Sequence, residues 1–303
     1  MKNIGLIGTI THDRITFALE NSIEGLGGIL YQAAVLSGLD KKTSLYTNLG
    51  GDLKPEVWAL IENWPALETG AVQTVPGPGN RVNLHYPQLG EREEVLETVV
   101  PPLDPTAVLA DGPYLDILIA VLNSGFDIGL ADWRSIIEAA SFPVWLDIHS
   151  LALSPTLGSP RSYRPLPEWK DWAAGVTYLQ ANSIEIACML GLPCEPCTEA
   201  DQDSLAGTAF DIGVKAVFVT SGQKGVRVLT PEKHWWISTQ RADKVADTTG
   251  CGDIFCAGTV AKLVEGHGLS SASAFGAKLA TAAVEVAGIE ATYRLARSWK
   301  SKI

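Results

Sequence analysis

Apolar positions along the chain gather into short continuous runs separated by longer stretches of helical spacing. Asn3–Gly8, Thr43–Leu49, Leu115–Leu122, Val144–Ile148, Gly175–Leu179 and Ala216–Thr220 read as strands. The clearest is LDILIAVL at Leu115–Leu122, apolar almost throughout. Between the strands, Ile29–Ser37, Leu53–Trp64, Leu130–Ala140, Ser183–Leu190 and Glu199–Ile212 carry helical patterns. Strands alternating with helices of this length predict βαβ units and a mostly parallel sheet with both faces covered. Two segments break the alternation. Residues 13–25 read as extended chain with polar turns, and residues 71–100 read as strand, Pro-Gly turn, strand, charged turn, strand. They predict a small β-sheet lid built from about 12–26 and 71–100. Val226–Leu229 and His234–Ile237 flank Thr230–Lys233 as a hairpin, and Asp253–Glu265 and Ser270–Ala287 read as helices. No repeat and no Ser/Gly linker divides the chain, so residues 1–303 are expected to form one domain.

Composition narrows the partners. The 303 residues hold 23 Lys and Arg against 34 Asp and Glu, a net charge of −11, with 46% hydrophobic and 19% charged residues. This is a globular mixture, and its sign argues against nucleic acid or an anionic membrane surface as the main partner. It leaves room for a small phosphate ligand, because oriented backbone dipoles bind anions on an acidic protein. No run approaches the roughly 20 apolar residues of a membrane-spanning helix; the longest aliphatic run is Ile117–Leu122. Met1–Arg14 lacks the continuous apolar region and small-residue cleavage site of a secretory leader. Five cysteines, an odd and sparse set, predict reduced thiols and a cytoplasmic location. Cys194-Glu195-Pro196-Cys197 follows a helix end and has no second CxxC to complete a zinc site, so it reads as surface-loop thiols.

Candidate chemistry concentrates at Asp247-Thr248-Thr249-Gly250-Cys251-Gly252-Asp253-Ile254-Phe255. Gly250 and Gly252 permit a tight loop of backbone N–H groups, and a helix begins at once. A loop of amides at a helix start is an anion hole suited to a phosphate whose charge changes during transfer. Asp253, in the first turn, is placed to take a proton from an attacking hydroxyl. The plainer alternative is a helix-start acid after a glycine turn. A Walker-type GxxxxGK[ST] is absent. Gly25–Leu30 and Gly77–Val82 begin like GxGxxG but lack the last glycine, which excludes a dinucleotide fingerprint.

DTTGCGDIF resembles the second signature of the ribokinase-like carbohydrate kinases, the PfkB family, with Cys251 where Ala is usual. Other pieces follow in the family's order. Gly8–Asp13 is similar to the first strand end and its sugar-binding Asp, and Gly27-Gly28 followed by Gln32-Ala33-Ala34 resembles GGxxxNxA. Gly50-Gly51-Asp52 resembles the G-x-D turn, Asn182–Glu185 matches NxxE, and Thr220–Gly225 matches the TxGxxG nucleotide loop.

The resemblance implies a three-layer αβα sandwich with a small β lid, and transfer of the γ-phosphoryl of ATP to a sugar-like acceptor. Asp253 would be the base, and the amides of Gly250, Cys251 and Gly252 would hold the transferring group. Asn182 and Glu185 would help hold Mg²⁺, directly or through water, although N-x-x-E is also a capping box. Thr220, Gly222 and Gly225 would border the nucleotide. Asp247 and Thr249 lie where many members bind a monovalent cation such as K⁺. Asp13, Gly27 and Gly28 would meet the acceptor's hydroxyls. Gln32 stands where Asn is usual, and Ile29 where ribokinases tend to carry Lys, which turns the expectation away from ribose itself. Of the polar residues Asn48, Arg81, His85 and His149, structural roles are favoured for the first three. His149, at a strand's C-terminal edge, stands even between structural and ligand-binding roles. The Trp169/Trp172 and Trp235/Trp236 pairs read as packing. A homodimer through exposed lid strands is expected. Two alternatives stay open: a nucleoside acceptor, and a non-catalytic binding relative on the same fold.

Overall fold

The computed structural model describes residues 3–17, 22–86, 93–239 and 245–300. In chain order the strands are β1 (Asn3–Ile7), β2 (Ile10–Phe17), β3 (Ser22–Gly28), β4 (Lys42–Gly50), β5 (Leu67–Glu68), β6 (Val72–Val75) and β7 (Asn80–Tyr86). They continue with β8 (Glu93–Thr98), β9 (Ile117–Val121), β10 (Val144–Asp147), β11 (Tyr178–Asn182), β12 (Ala216–Thr220), β13 (Val226–Leu229) and β14 (His234–Ile237). The helices are α1 (Leu30–Gly38), α2 (Lys54–Ile61), α3 (Thr106–Asp111), α4 (Leu130–Ala139) and α5 (Trp169–Ala173). The remainder are α6 (Ser183–Leu190), α7 (Glu199–Asp211), α8 (Cys251–Leu263), α9 (Leu269–Ala283) and α10 (Ile289–Trp299).

Central strands that are apolar at every position need cover on both faces, and β9 has it. Ile117, Ile119 and Val121 point into one core, Leu118 and Ala120 into the other. Among the described residues the main sheet has ten strands, ordered β14-β13-β12-β11-β10-β9-β1-β4-β5, with β6 also paired to β4. The pairs from β12 to β5 and β6 are parallel, and β13 and β14 are added antiparallel at one edge. Residues of α1, α2, α8, α9 and α10 fill one core, and residues of α3 to α7 fill the other. The result is the three-layer αβα sandwich expected from the alternation.

A second sheet of four strands, ordered β3-β2-β7-β8, stands apart from the first. It has its own small core of Ile15, Val82, Leu84 and Leu96, packed with Val99 and Phe126. Asp52 fixes its base by accepting from the Gly79 amide at 2.8 Å and from Arg81 at 2.6 Å. At the far edge the buried Arg161–Glu94 pair, 3.1 Å apart, ties β8 to the loop after β10. Residues 18–21 and 87–92 of the expected lid lie outside the described residues.

The structure departs from the sequence expectation in several places, among them the short helices α3 and α5, which the sequence reading did not include. Val72–Val75, expected in the small sheet, pairs in parallel with β4 and completes an edge of the main one. The strand expected at Gly175–Leu179 lies at Tyr178–Asn182, because Gly175 is a turn at φ +85° and the polar Gln180 sits inside the strand. Helix α10 was not anticipated, although its periodicity is strongly amphipathic, with Ile289, Thr292, Tyr293 and Ala296 on the buried face. The tryptophan expectation holds in part: Trp169 and Trp172 are buried in α5 and Trp235 packs against the first core from the β13–β14 hairpin, whereas Trp236 is exposed.

Three aromatic rings set the height of α8 over the sheet. Trp145 stacks on Phe218 with centroids 4.4 Å apart, and Phe255 meets Phe218 edge-on at 5.7 Å. Helices α8 and α9 approach through Gly258 and Gly276; a Cβ on Gly276 would lie 2.5 Å from the Phe255 carbonyl. Gly276→Ala should therefore cost roughly 1–3 kcal/mol in thermal or urea denaturation. Gly207→Ala, on the exposed side of α7 with open space around it, should gain roughly 0.5–1 kcal/mol. Equal effects of the two changes would contradict the α8–α9 packing.

Candidate active site

Strands β10, β11 and β12 end on one side of the sheet, and the start of α8 faces their C-terminal ends across a cleft of about 210 Å³. This is where open α/β sheets bind ligands. Of the residues singled out from sequence, the cleft brings together Gly250, Cys251, Gly252 and Asp253 with Asn182, Glu185, Thr220, His149 and Thr249. The remainder lie behind it or to one side.

Gly250 caps α8 at φ +74°, and a Cβ there would run into the Tyr31 ring at 2.6 Å. Only glycine suits both the backbone angle and the close ring. The first amides of a helix have no intrahelical acceptor, so the start of α8 presents N–H groups and the positive end of a dipole to the cleft. The carbonyl of Gly252 accepts from Gln180 Nε2 at 3.2 Å, which ties the turn to β11.

Asp253 is half-buried in the first turn of α8, at the wall of the cleft. Burial raises its carboxyl to about 7, and the charge of Asp13 pushes the same way. One side-chain bond opposes them: Gln32 Nε2 donates to Asp253 Oδ1. Tyr31 lies beside these groups, its phenol held protonated by burial and by Asp247, Asp13 and Asp253. The Cys251 thiol is pushed up to about 12 by burial and by Asp247 and Asp253, so it is no thiolate nucleophile near neutrality.

The opposite wall is acidic. Asp147, at the end of β10, is raised well above the carboxylate range by burial, then by Glu185 and Asp253. Its Oδ2 accepts from Gln180 Nε2 at 2.7 Å. Asn182 and Glu185 form a full capping box on α6: Asn182 Oδ1 accepts from the amides of Ile184 and Glu185, and Glu185 Oε2 accepts from the Asn182 amide at 2.7 Å. His149 follows β10 with φ +39°, a strained angle for a side-chain-bearing residue, and its Nδ1 lies 3.0 Å from Ser150 Oγ. Three buried polar atoms around this region have no hydrogen-bond partner among the described residues: Gln32 Oε1, Gln180 Oε1 and Thr249 Oγ1.

The remaining candidates sort by position. Asp13 acts on Asp253 and Tyr31 by charge, and its Oδ2 occupies the space a Cβ on Gly27 would need. Gly28 closes against Thr9 and Asn123. Gly222 and Gly225 shape the turn after β12 but do not line the cleft. Asp247 Oδ1 accepts from the Thr249 amide at 2.8 Å, and the amide of Asp247 bonds Val284 at the end of α9. Asn48 holds the Pro101 and Pro102 carbonyls, Arg81 pairs with Asp52, and His85 is exposed, as their structural reading expects. Cys194 and Cys197 are free and pack against the second core.

Sequence reasoning did not single out Tyr31, Gln180 or Asp147. Gln180 and Asp147 were visible as polar residues inside or ending otherwise apolar strands, whereas Tyr31 looked like one more apolar position of α1.

The donor set fits a hydrated divalent cation. Glu185 has both oxygens engaged by Asn182, and Asp147 lies within reach of its charge. Two carboxylates facing one cleft would hold such an ion best through its water shell. Among the described residues no group of three or more His, Cys, Asp and Glu side chains forms a direct cage, and no helix is long and apolar enough to cross a membrane.

Comparison with known proteins agrees with this geometry. A family model described as pfkB family carbohydrate kinase matches residues 149–294. Arabidopsis thaliana ribokinase is 29% identical over 153 residues, 50% of this chain and 36% of that protein. A nucleoside kinase of Methanocaldococcus jannaschii is 38% identical over 77 residues, 25% of this chain and 26% of that one. The matched segments thus span about a third and a quarter of these curated relatives. The solved structure of Arabidopsis thaliana ribokinase with ribose and ATP superposes with a TM-score of 0.75 at 20% identity, covering 99% of this chain and 98% of the other, which establishes the fold. Residues 149–294 thus resemble the pfkB family carbohydrate kinases, and the chain as a whole has the fold of the ribokinase structures.

The raised carboxyl of Asp253 makes stability depend on pH. Its folded value, about 7, lies above its ordinary 3.8. The folded state keeps a proton that the unfolded state has released, so stability falls as pH rises from about 4 through about 7. Asp253→Asn removes this dependence. Its stability relative to wild type should grow over that window by something on the order of 4 kcal/mol, read by urea titration at several pH values. A pH-independent difference would contradict the raised titration.

Proposed function

We propose that the protein transfers the γ-phosphoryl group of ATP to a hydroxyl of a sugar or sugar-like molecule, with Asp253 as the base. One observation carries the reading: a half-buried carboxyl poised near neutrality sits in the first turn of a helix whose free amides face the cleft. A base with a value near the working pH takes a hydroxyl proton efficiently. Amides fixed in a dry site stabilise charge on the transferring group without reorganising. The acidic chain thus handles a polyanion through backbone dipoles and a metal rather than through clustered Lys and Arg.

In this reading the amides of Gly250, Cys251 and Gly252 cradle the phosphoryl group, and Thr220, Gly222 and Gly225 border the nucleotide. Glu185, aided by Asn182 and Asp147, would hold hydrated Mg²⁺, which supplies charge neutralisation at the phosphates. Asp247 and Thr249 would hold a monovalent cation such as K⁺. Asp13, Gly27, Gly28, Gln32 and His149 meet the acceptor. Gln32 Oε1, buried without a partner, suits a hydroxyl donor from the acceptor, since an unpaired buried acceptor costs roughly 1–3 kcal/mol. The second sheet acts as the lid that excludes water as a competing acceptor, and its exposed strands suit a homodimer. The protein would work in the cytoplasm. A nucleoside acceptor is the second reading, favoured by the match to the nucleoside kinase.

A panel of ribose, fructose, 2-keto-3-deoxygluconate, adenosine and inosine, with Mg-ATP and an ADP-release readout, separates the two acceptors. Ligand-dependent melting without ATP consumption across the panel would instead indicate a binding relative. With the accepted substrate, kcat should rise with pH through about 7 as Asp253 loses its proton. Asp253→Asn should lower kcat roughly 10²–10⁴-fold while leaving ATP affinity nearly intact. Wild-type turnover in that variant would overturn the base assignment.

A further inference from the structure

We propose that Gln32 is a positioning residue that fixes the Asp253 carboxylate for proton abstraction and favours its ionised form. The proposal rests on the kinase reading above and deepens it.

Every residue of α1 is buried, and Gln32, within its first turn, is 0% exposed. A buried primary amide is costly unless its donors and acceptor are used. Gln32 uses only one side. Its Nε2 donates to Asp253 Oδ1, and its Oε1 has no partner among the described residues. The contact to Asp253 is therefore the interaction that accounts for the amide at this depth.

An amide N–H₂ can only donate, so it stabilises the acceptor-only, ionised carboxylate over the protonated acid. It also pins one oxygen and leaves the other for the acceptor's hydroxyl. The groups that face Asp253 are Asp13 of β2, Tyr31 of α1, Asp147 of β10, and Cys251 and Cys256 of α8 itself. None of these brings positive charge, and the acids oppose ionisation. Asp253 could have been served by a Lys or Arg, which would neutralise it as a base. A neutral donor holds it while keeping its affinity for a proton near neutrality.

The test is a ¹³Cγ-aspartate NMR titration of the whole chain without ligand, with the Asp253 resonance assigned from its loss in Asp253→Asn. Wild type should titrate near 7. Gln32→Met, unbranched and of similar size, should move the midpoint up by about one pH unit, an acid about tenfold weaker. With Mg-ATP and the panel acceptor that turns over, the acid limb of kcat should shift in parallel. At pH 7 kcat should fall about fivefold, with KM for ATP within about twofold of wild type. A purely structural glutamine would lower the melting temperature without moving either midpoint. Gln32→Glu serves as the second variant should Gln32→Met not fold: a carboxyl in place of the amide should raise the Asp253 midpoint further, because two acids then share one site. An unchanged Asp253 midpoint in a folded variant overturns the proposal, as does a shifted midpoint that kcat does not follow. The titration needs no acceptor, so failure of the kinase reading leaves this measurement decisive for the Gln32–Asp253 bond.

Discussion

A carboxylate taken out of water without a cation beside it has to be held by hydrogen bonds, and Asp253 is held by one from the side chain of a neighbouring helix. Burying such a charge is expensive, and the expense appears as a carboxyl raised to about 7. The consequence is functional: a group that is half-ionised near neutrality is the kind that exchanges protons during a reaction. The surroundings are arranged to keep it there. Asp13 stands close enough to repel its charge, and Gly250 leaves room for the Tyr31 ring.

The sheet and its two layers exist, from the site's point of view, to fix the start of α8 against the ends of three strands. Trp145 of β10 and Phe218 of β12, on either side of β11, stack beneath Phe255 of the helix. Gln180 bridges Asp147 and the Gly252 carbonyl, joining β10, β11 and α8 in one polar link. The capping box of Asn182 and Glu185 sets the opposite wall. It satisfies α6 and presents a carboxylate to the cleft at the same time, so the capping role leaves the proposed metal-facing role open to the same two residues.

Much of this was legible in the sequence because its signals are local. Continuous apolar runs marked β1, β4, β9, β10 and β12, and the β13–β14 hairpin lay where its turn residues put it. The turn at Gly250–Gly252 and the acid after it could be placed at a helix start because such starts have fixed geometry. What was not legible depends on packing between distant segments. Val72–Val75 looks the same whether it joins the small sheet or the large one, and only its pairing with β4 decides. Tyr31 reads as a core aromatic until α1 is laid against α8. Gln32 was visible as a departure from the family's Asn, but its bond to a residue far along the chain was not. Polar residues inside apolar strands, such as Gln180, were the missed signal: they interrupt an apolar run because they serve a site.

The central claim is that the phosphoryl group in flight rests on the amides that open α8, with the acceptor's oxygen against Asp253. A crystal structure with ADP, aluminium fluoride, Mg²⁺ and the accepted polyol tests it most directly. The account predicts the fluoride complex within hydrogen-bond distance of the Gly250, Cys251 and Gly252 amides, and the acceptor hydroxyl in contact with the Asp253 carboxylate. A fluoride complex seated elsewhere in the cleft, or an acceptor whose reacting oxygen does not reach Asp253, would contradict it.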